Sequence, residues 1–218
     1  MRAAIRRRFA WKVALLVRKR KASLRRLGAL DGPWRRPYLL AKALLPIITA
    51  PDRRLKVKST LVQAVDDGLR TLLDDMVETM LAAPGIGLSA VQVGVPIRAV
   101  VAEVRGKNRD PAKREAKFLV NPEIIESSES VVNLEEGCLS LPDQFEDVER
   151  PAEITVRFLD YHGQPQKEHF DGVMARCIQH EMDHLEGVLF VDHLSAVKRD
   201  IILRRLLKVR RQKQPAVA

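Results

Sequence analysis

The chain has 218 residues and a formal net charge of +10, and 46% of its residues are hydrophobic. This length suits one ordinary domain with a buried core, and two cysteines are too few for a disulfide framework, so both are available as ligands, nucleophiles or core residues. Charged residues interrupt every long apolar run, so the sequence predicts no membrane-spanning helix of about 20 residues.

The positive charge is concentrated at the N-terminus. Residues 1–43 contain fourteen Lys or Arg and one acid, Asp31, giving a net charge of +13, which leaves −3 for residues 44–218. We therefore treat residues 1–43 as a separate basic extension. Three interpretations stay open: an organellar transit peptide, a basic helix that binds a membrane surface or RNA, and sequence upstream of the true start.

The remaining periodicities predict an α+β domain over residues 44–194 and a basic C-terminal helix and tail over 195–218. In chain order we expect a helix over 66–83, strands over 97–105 and 117–121 around a polar loop at 107–115, and a hairpin over 153–170. A helix follows over 172–186, closed by Gly187, and Ser195 caps the last helix. Because helices and strands do not alternate regularly, we expect small mixed or antiparallel sheets.

The helix over 172–186 carries the sequence His180-Glu181-Met182-Asp183-His184. Positions i and i+4 differ by about 40° around a helix and about 6 Å along it, so both imidazoles can bind one metal ion. Two exposed histidines are the alternative interpretation. Helix angles do not separate Glu181 from Asp183, but the longer side chain and the precedent of the motif favour Glu181 as general base. Asp183 is then expected to support the site or to form a surface pair.

A catalytic metal site needs a third protein ligand. Zinc proteases of the type H-E-x-x-H-x-x-G-x-x-H find it on the same segment, but here that position is Phe190, and no Glu follows Glu186. Cys177 lies about 7.5 Å in axial rise from the midpoint of the two histidines, which is too far, so we predict a small buried residue. Cys138 remains, although a cysteine after a glycine is commonly a core residue.

Three stretches of the chain resemble the signatures of peptide deformylases: GIGLSAVQ at 85–92, EGCLS at 136–140 and QHEMDH at 179–184. The resemblance covers residues from about 44 to about 213. It implies a hydrolase that removes the formyl group from the N-terminal formylmethionine of new polypeptides. It also implies that the small sheets pack around a central metal-binding helix.

The resemblance further implies a mechanism. Cys138, His180 and His184 would bind the metal, which in the family is usually Fe²⁺, with Zn²⁺, Ni²⁺ or Co²⁺ as alternatives. A metal-bound water would attack the formyl carbon, with Glu181 as general base and acid. Gln92 and the backbone N–H of Leu139 would face the formyl oxygen as it becomes an oxyanion.

Substrate contacts are also implied. Gly87 would let the loop backbone pair with the substrate peptide, and Ile86, with helix residues such as Cys177 and Ile178, would line an apolar methionine pocket. Arg150 would lie near the site in a structural or substrate-contacting role. Ser89 stands where the family usually has alanine, and we expect it to adjust packing or hydrogen bonding without loss of activity.

The expected partners are nascent formylmethionyl peptides and, through the C-terminal helix, the ribosome. A packed helix with a solvated basic face is the alternative for that helix. We expect a monomer in a bacterial cytoplasm, or in a mitochondrion or plastid if residues 1–43 are a transit peptide. Two other functions are considered: a zinc endoprotease, which Phe190 argues against, and a ribosome- or RNA-binding protein with a structural metal.

Overall fold

The computed structural model describes residues 44–105 and 114–213. The basic extension at 1–43 and most of the predicted loop at 107–115 lie outside the described residues. Within them, the helices are α1 (Asp67–Ala82), α2 (Gly172–Leu185) and α3 (Ala196–Lys213). The strands are β1 (Gly87–Ser89), β2 (Ala99–Arg105), β3 (Arg114–Ser127), β4 (Val131–Cys138), β5 (Leu141–Pro151), β6 (Glu153–Leu159) and β7 (Pro165–Asp171).

The strands form two antiparallel sheets, so the predicted α+β class is confirmed, and of the two sheet types that were expected, mixed or antiparallel, the structure has the antiparallel one. One sheet has the order β1-β2-β3-β6-β7, and the other consists of β4 and β5. The β6–β7 pair is the predicted hairpin. In the larger sheet β1 is an edge strand, paired with β2 through Gly87 opposite Ala102 and Ser89 opposite Val100. A short edge strand therefore lies immediately before the 3₁₀ turn Ala90–Val93.

Helix α1 has nearly the predicted bounds because the sequence shows both its N-cap residue and the helical spacing of its buried residues. The Asp66 carboxylate accepts a hydrogen bond from the N–H of Leu69 at 2.8 Å, which satisfies one free donor of the first turn. Leu69, Leu73 and Met76 are buried at helical spacing against the larger sheet. The same core includes Leu88, so α1 packs against the strand β1 that follows it.

Strand β3 is longer than predicted. Asn121 precedes a proline, and an Asn-Pro pair in a sequence commonly marks the end of a strand. In the structure Asn121 has a left-handed backbone with φ 52°. In the structure this is a β-bulge, and pairing with β6 resumes at Glu123. The Asn121 side chain stabilises the irregular backbone by bonding both the N–H and the carbonyl of Val62.

Helix α2 lies between the two sheets and contacts β1, β2, β6 and β7 of the larger sheet and β5 of the smaller one. Ile178 is fully buried in the core that this helix forms with the larger sheet. Gly187 closes the helix with φ 73°, as predicted. A Cβ there would lie 2.6 Å from the carbonyl oxygen of Lys56, so the close approach also requires glycine.

Helix α3 matches the predicted C-terminal helix. Ile202 and Leu206 are buried against the core around Leu141 and Phe190, while most of its Lys and Arg side chains are exposed. Among the residues that the structure describes, no helix combines the length and the apolar character needed to cross a membrane.

Candidate metal centre

Cys138, His180 and His184 converge although 42 residues separate the cysteine from the first histidine. Cys138 ends β4, and the histidines occupy consecutive turns of α2. One ligand atom from each side chain lies within 4.8 Å of the other two, and Cys138 Sγ lies 3.2 Å from His184 Nε2. The structure therefore brings together the three side chains that the sequence resemblance grouped.

This arrangement fits a tetrahedral divalent ion. Metal–sulfur and metal–nitrogen bonds of about 2.3 and 2.05 Å at a tetrahedral angle would separate sulfur from nitrogen by about 3.6 Å. The separation between Cys138 Sγ and His184 Nε2 is 3.2 Å. Three protein ligands also leave one coordination position for water or substrate, as in catalytic rather than structural sites.

The His180 ring is oriented by Glu136. His180 Nδ1 lies 2.9 Å from Glu136 Oε2, so Nδ1 carries the proton and Nε2 is left for the metal. Burial disfavours the charged ring, but hydrogen bonds with Cys138 and Glu136 outweigh it and raise the pKa of His180. The carboxylate thus fixes both the tautomer and the direction of this ligand.

Glu136, for which the sequence predicted no role, lies at the centre of a buried hydrogen-bond network. It accepts hydrogen bonds from Arg150 Nε at 2.6 Å, Arg150 Nη2 at 3.0 Å and Arg176 Nη1 at 2.7 Å, in addition to its bond with His180. A signal was present, because residues i and i+2 of a strand share a face and Glu136 precedes Cys138 by two. One buried carboxylate therefore joins β4, β5 and α2.

Arg150 is buried, with 5% of its surface exposed, and its guanidinium also donates to Asp183 Oδ2 at 2.9 Å. His193 Nε2 lies 2.7 Å from the same Asp183 oxygen. Asp183 thus bonds both the buried Arg150 and the exposed His193, in keeping with the two roles that were expected for it. All three guanidinium nitrogens of Arg150 face carboxylates, which supports the structural alternative for this residue.

The second histidine ligand has a different environment. Burial, followed by the proximity of His180, lowers the pKa of His184 well below its ordinary value. The ring is therefore neutral near pH 7 and has a lone pair available. Its Nδ1 is buried and has no hydrogen-bond partner among the described residues.

Glu181 lies on α2 beside the ligands and is buried. Burial raises the pKa of its carboxyl, and the charge of His180 and a hydrogen bond from Ser89 only partly oppose that effect. Ser89 Oγ lies 2.6 Å from Glu181 Oε2. A carboxylate with a raised pKa close to a metal site is suited to accept and return a proton.

Gln92 and Leu139 flank the cysteine ligand. The amide oxygen of Gln92 accepts from the N–H of Ser89 at 2.8 Å, so its Nε2 must point the other way, toward Ser140 Oγ at 3.1 Å and Cys138 Sγ at 3.6 Å. The N–H of Ser140 donates to Cys138 Sγ at 3.4 Å. Leu139 is half-buried between these two residues. The amide donor of Gln92 and the backbone around Leu139 therefore border the same sulfur.

Gly87 leaves the space into which the side chains of α2 fit against β1. A Cβ built on it would lie 2.6 Å from Glu181 Oε1 and 2.7 Å from Cys177 Sγ, so only glycine fits. Cys177 is buried, as predicted from its distance along the helix, and its thiol donates to the Ile86 carbonyl at 3.5 Å. Ile86 itself is half-buried at the start of the edge strand.

Two histidines on one helix face, a cysteine on an adjoining strand and a buried glutamate beside them define a metal-dependent hydrolase. A family model described as polypeptide deformylase matches residues 44–200. The peptide deformylase of Rhizorhabdus wittichii is 49% identical over 176 residues, covering 80% of this chain and 99% of that protein. The peptide deformylase of Caulobacter vibrioides is 50% identical over 171 residues, covering 78% and 97%.

The crystal structure of Ehrlichia chaffeensis peptide deformylase in complex with actinonin has 42% sequence identity and a TM-score of 0.73, covering 78% of this chain and 99% of that one. The chain belongs to the peptide deformylase family. Its activity is therefore metal-dependent peptide deformylation, as the sequence motifs predicted.

Proposed function

We propose that Cys138, His180 and His184 hold one divalent ion, Fe²⁺ by preference, with Zn²⁺, Ni²⁺ or Co²⁺ as substitutes. The proximity of the three ligand atoms and the carboxylate-oriented His180 support this assignment. When bound, such an ion would lower the pKa of a water in its fourth position and so supply the nucleophile. The remaining steps, proton transfer and stabilisation of the oxyanion, are assigned to side chains and backbone groups of the protein.

In this proposal Glu181 is the general base and then the general acid. It would accept the proton that the water loses and pass it to the amine of methionine as the formyl–nitrogen bond breaks. The observation that carries this role is the burial of its carboxyl next to both histidine ligands, which raises its pKa toward the working pH. Its burial also keeps bulk water away from the two carboxylate oxygens of Glu181.

Gln92 and Leu139 would stabilise the formyl oxygen as negative charge develops on it. The Gln92 amide is held by Ser89, and its Nε2 lies 3.1 Å from Ser140 Oγ and 3.6 Å from Cys138 Sγ, so the weaker N–H bond to sulfur would be exchanged for one to the formyl oxygen. The backbone N–H of Leu139 would be the second donor. Each such donor is worth about 3 kcal/mol in comparable sites.

The substrate peptide would add to the sheet beside β1. That strand is at the edge of the sheet and ends next to Glu181, so a peptide paired with Gly87 has its first residue at the metal centre. Ile86 would contact the methionine side chain. Arg150 would act indirectly, by neutralising Glu136, because its own nitrogens are occupied.

The decisive experiment replaces Glu181 with Gln in nickel-loaded, full-length protein and follows deformylation of formyl-Met-Ala-Ser. We expect kcat to fall by about 10²- to 10⁴-fold. Glu186→Gln is the matched control, because Glu186 directly follows the same helix but is exposed and paired with Arg98 and Lys58, and it should behave as wild type. Undiminished turnover by Glu181→Gln would refute the assignment, and cleavage of an unformylated peptide would favour an endoprotease.

We also propose that α3 contacts the ribosome. Arg204, Lys208 and Arg211 line an open groove of about 510 Å³ on this helix, together with Leu207 and Gln212. Binding through such residues should weaken steeply with added salt. Replacing Arg204, Lys208 and Arg211 with Glu should reduce cosedimentation with ribosomes and leave turnover of a tripeptide unchanged. Equal cosedimentation would support a packed helix with a solvated face.

For location and assembly we propose a monomer in a bacterial cytoplasm, in keeping with the bacterial relatives. A mitochondrion or plastid is the alternative if residues 1–43 are a transit peptide. Mass spectrometry of the mature N-terminus tests the location, and light scattering tests the assembly. A cleaved extension would favour the organelle.

A further inference from the structure

Ser89 makes the direct side-chain contact to the carboxylate of Glu181. Its side chain is fully buried at the end of β1, and its Oγ lies 2.6 Å from Glu181 Oε2 and 2.8 Å from the Glu181 backbone oxygen. Its own N–H is bonded to Gln92. The hydroxyl is therefore held in one position between the proposed oxyanion donor and the proposed base.

A serine hydroxyl has one proton, so it can donate to only one of the two Glu181 oxygens within reach. Donation to an ionised carboxylate is the stronger of the two bonds, and Oε2 lies within reach at 2.6 Å. The proton of Ser89 therefore points to Oε2. The backbone oxygen is the alternative acceptor if Oε2 itself becomes protonated.

The other carboxylate oxygen has a different neighbour. Glu181 Oε1 faces Gly87, where a Cβ would lie only 2.6 Å away. Oε1 therefore lies against the face of β1 that packs on α2, beside the strand with which the substrate peptide is proposed to pair. The two oxygens of one carboxylate are thus distinguished, because Oε2 is bonded to buried Ser89 and Oε1 lies against Gly87.

We propose that Ser89 is a positioning residue that anchors Oε2 of Glu181 and so directs the transferred proton to Oε1. With the proton on Oε1, Oε2 is the carbonyl oxygen of the acid and still accepts from Ser89, so one hydroxyl position serves both protonation states. The water gives its proton to Oε1, the methionine amine receives that proton, and Ser89 keeps its own. This inference rests on the proposed role of Glu181 as base.

The test compares Ser89→Ala with Ser59→Ala in nickel-loaded, full-length protein. Ser59 is a matched control, because it too is a buried serine, but its hydroxyl has no hydrogen-bond partner among the described residues. A hydrogen bond to a charged group justifies an expected fall in kcat of about tenfold for Ser89→Ala, with KM for formyl-Met-Ala-Ser within about twofold of wild type. Ser59→Ala should leave both constants unchanged.

Infrared spectroscopy provides a second measurement that loss of packing would not affect. The carboxyl bands of Glu181 are assigned by their loss in Glu181→Gln. We expect Ser89→Ala to shift these bands and Ser59→Ala to leave them in place. The role of Ser89 would be overturned by any one of three results for Ser89→Ala. These are unshifted carboxyl bands, a kcat within twofold of wild type, and a rise in KM by the same factor as the fall in kcat.

The same set of variants separates the two proposals. If Glu181→Gln turns over the substrate like wild type, the general-base assignment fails and the role of Ser89 fails with it. If Glu181→Gln is inactive and Ser89→Ala is fully active, the base assignment stands and only the role of Ser89 fails.

Discussion

Replacing Glu136 with Gln would keep the shape of the side chain and remove the negative charge that orients His180 and pairs with two arginines. The carboxylate accepts from Arg150, Arg176 and His180 through its two oxygens. An amide has one oxygen, so its NH₂ group would be forced against a cationic donor in a buried site. We therefore expect losses in both stability and metal affinity.

The magnitude follows from the pKa of the carboxyl group. Burial by itself would raise that pKa, but hydrogen bonds from His180 and Arg150 lower it from 4.5 to about 2. At about 1.4 kcal/mol per pKa unit, the folded state favours the charged form by about 3 kcal/mol. Glu136→Gln should lower the free energy of unfolding by about that amount, and metal affinity should fall by about 10- to 100-fold as His180 loses its orientation.

Urea unfolding of chelator-treated protein measures the first quantity, and competition between the protein and a chelator for Zn²⁺ measures the second. Glu123→Gln is the control, because Glu123 pairs with Arg157 on the exposed surface and should change stability by less than about 1 kcal/mol. A loss of less than about 1 kcal/mol in Glu136→Gln together with unchanged zinc affinity would refute the reasoning.

Three further predictions follow from the structure. Gly87→Ala should lower kcat by about 100-fold, because the added methyl group displaces the Glu181 carboxylate; wild-type kinetics would contradict the close approach. Asp147→Lys should stabilise the protein by about 0.5 kcal/mol in urea unfolding, because Asp147 lies directly opposite Glu135 across β4 and β5; an equal or lower stability would contradict this. Since folding lowers the pKa of Glu136, the stability that its charge contributes is present above pH 4.5 and lost as the pH falls toward about 2; in metal-free protein Glu136→Gln should flatten that part of the pH dependence, and an identical curve would contradict it.

The sequence predicted the elements whose signals are local. Helix α1 has a capping acid and a single buried stripe, and α2 ends at a glycine with positive φ, so both were found within one or two residues. The reach of Cys177 along its helix was also enough to exclude it as a ligand. These features depend on spacing within one segment, which a sequence displays directly.

The features that were missed depend on contacts between segments. The bulge at Asn121 is stabilised by Val62, which is 59 residues away, so the local pattern indicated a strand end instead. The role of Glu136 depends on arginines from β5 and α2 that no spacing rule joins to it. The Cys138 assignment came from resemblance to a family, because elimination alone left its place in the fold open.

The shortness of β1 has a consequence for the range of proteins on which the enzyme can act. An edge of three residues is about 10 Å long and offers backbone groups to a peptide paired with it. Backbone pairing does not discriminate between side chains, so if the substrate pairs with β1 as proposed, many different residues after the first methionine would be accepted. A contact this short would also limit the residence time of a peptide paired with it.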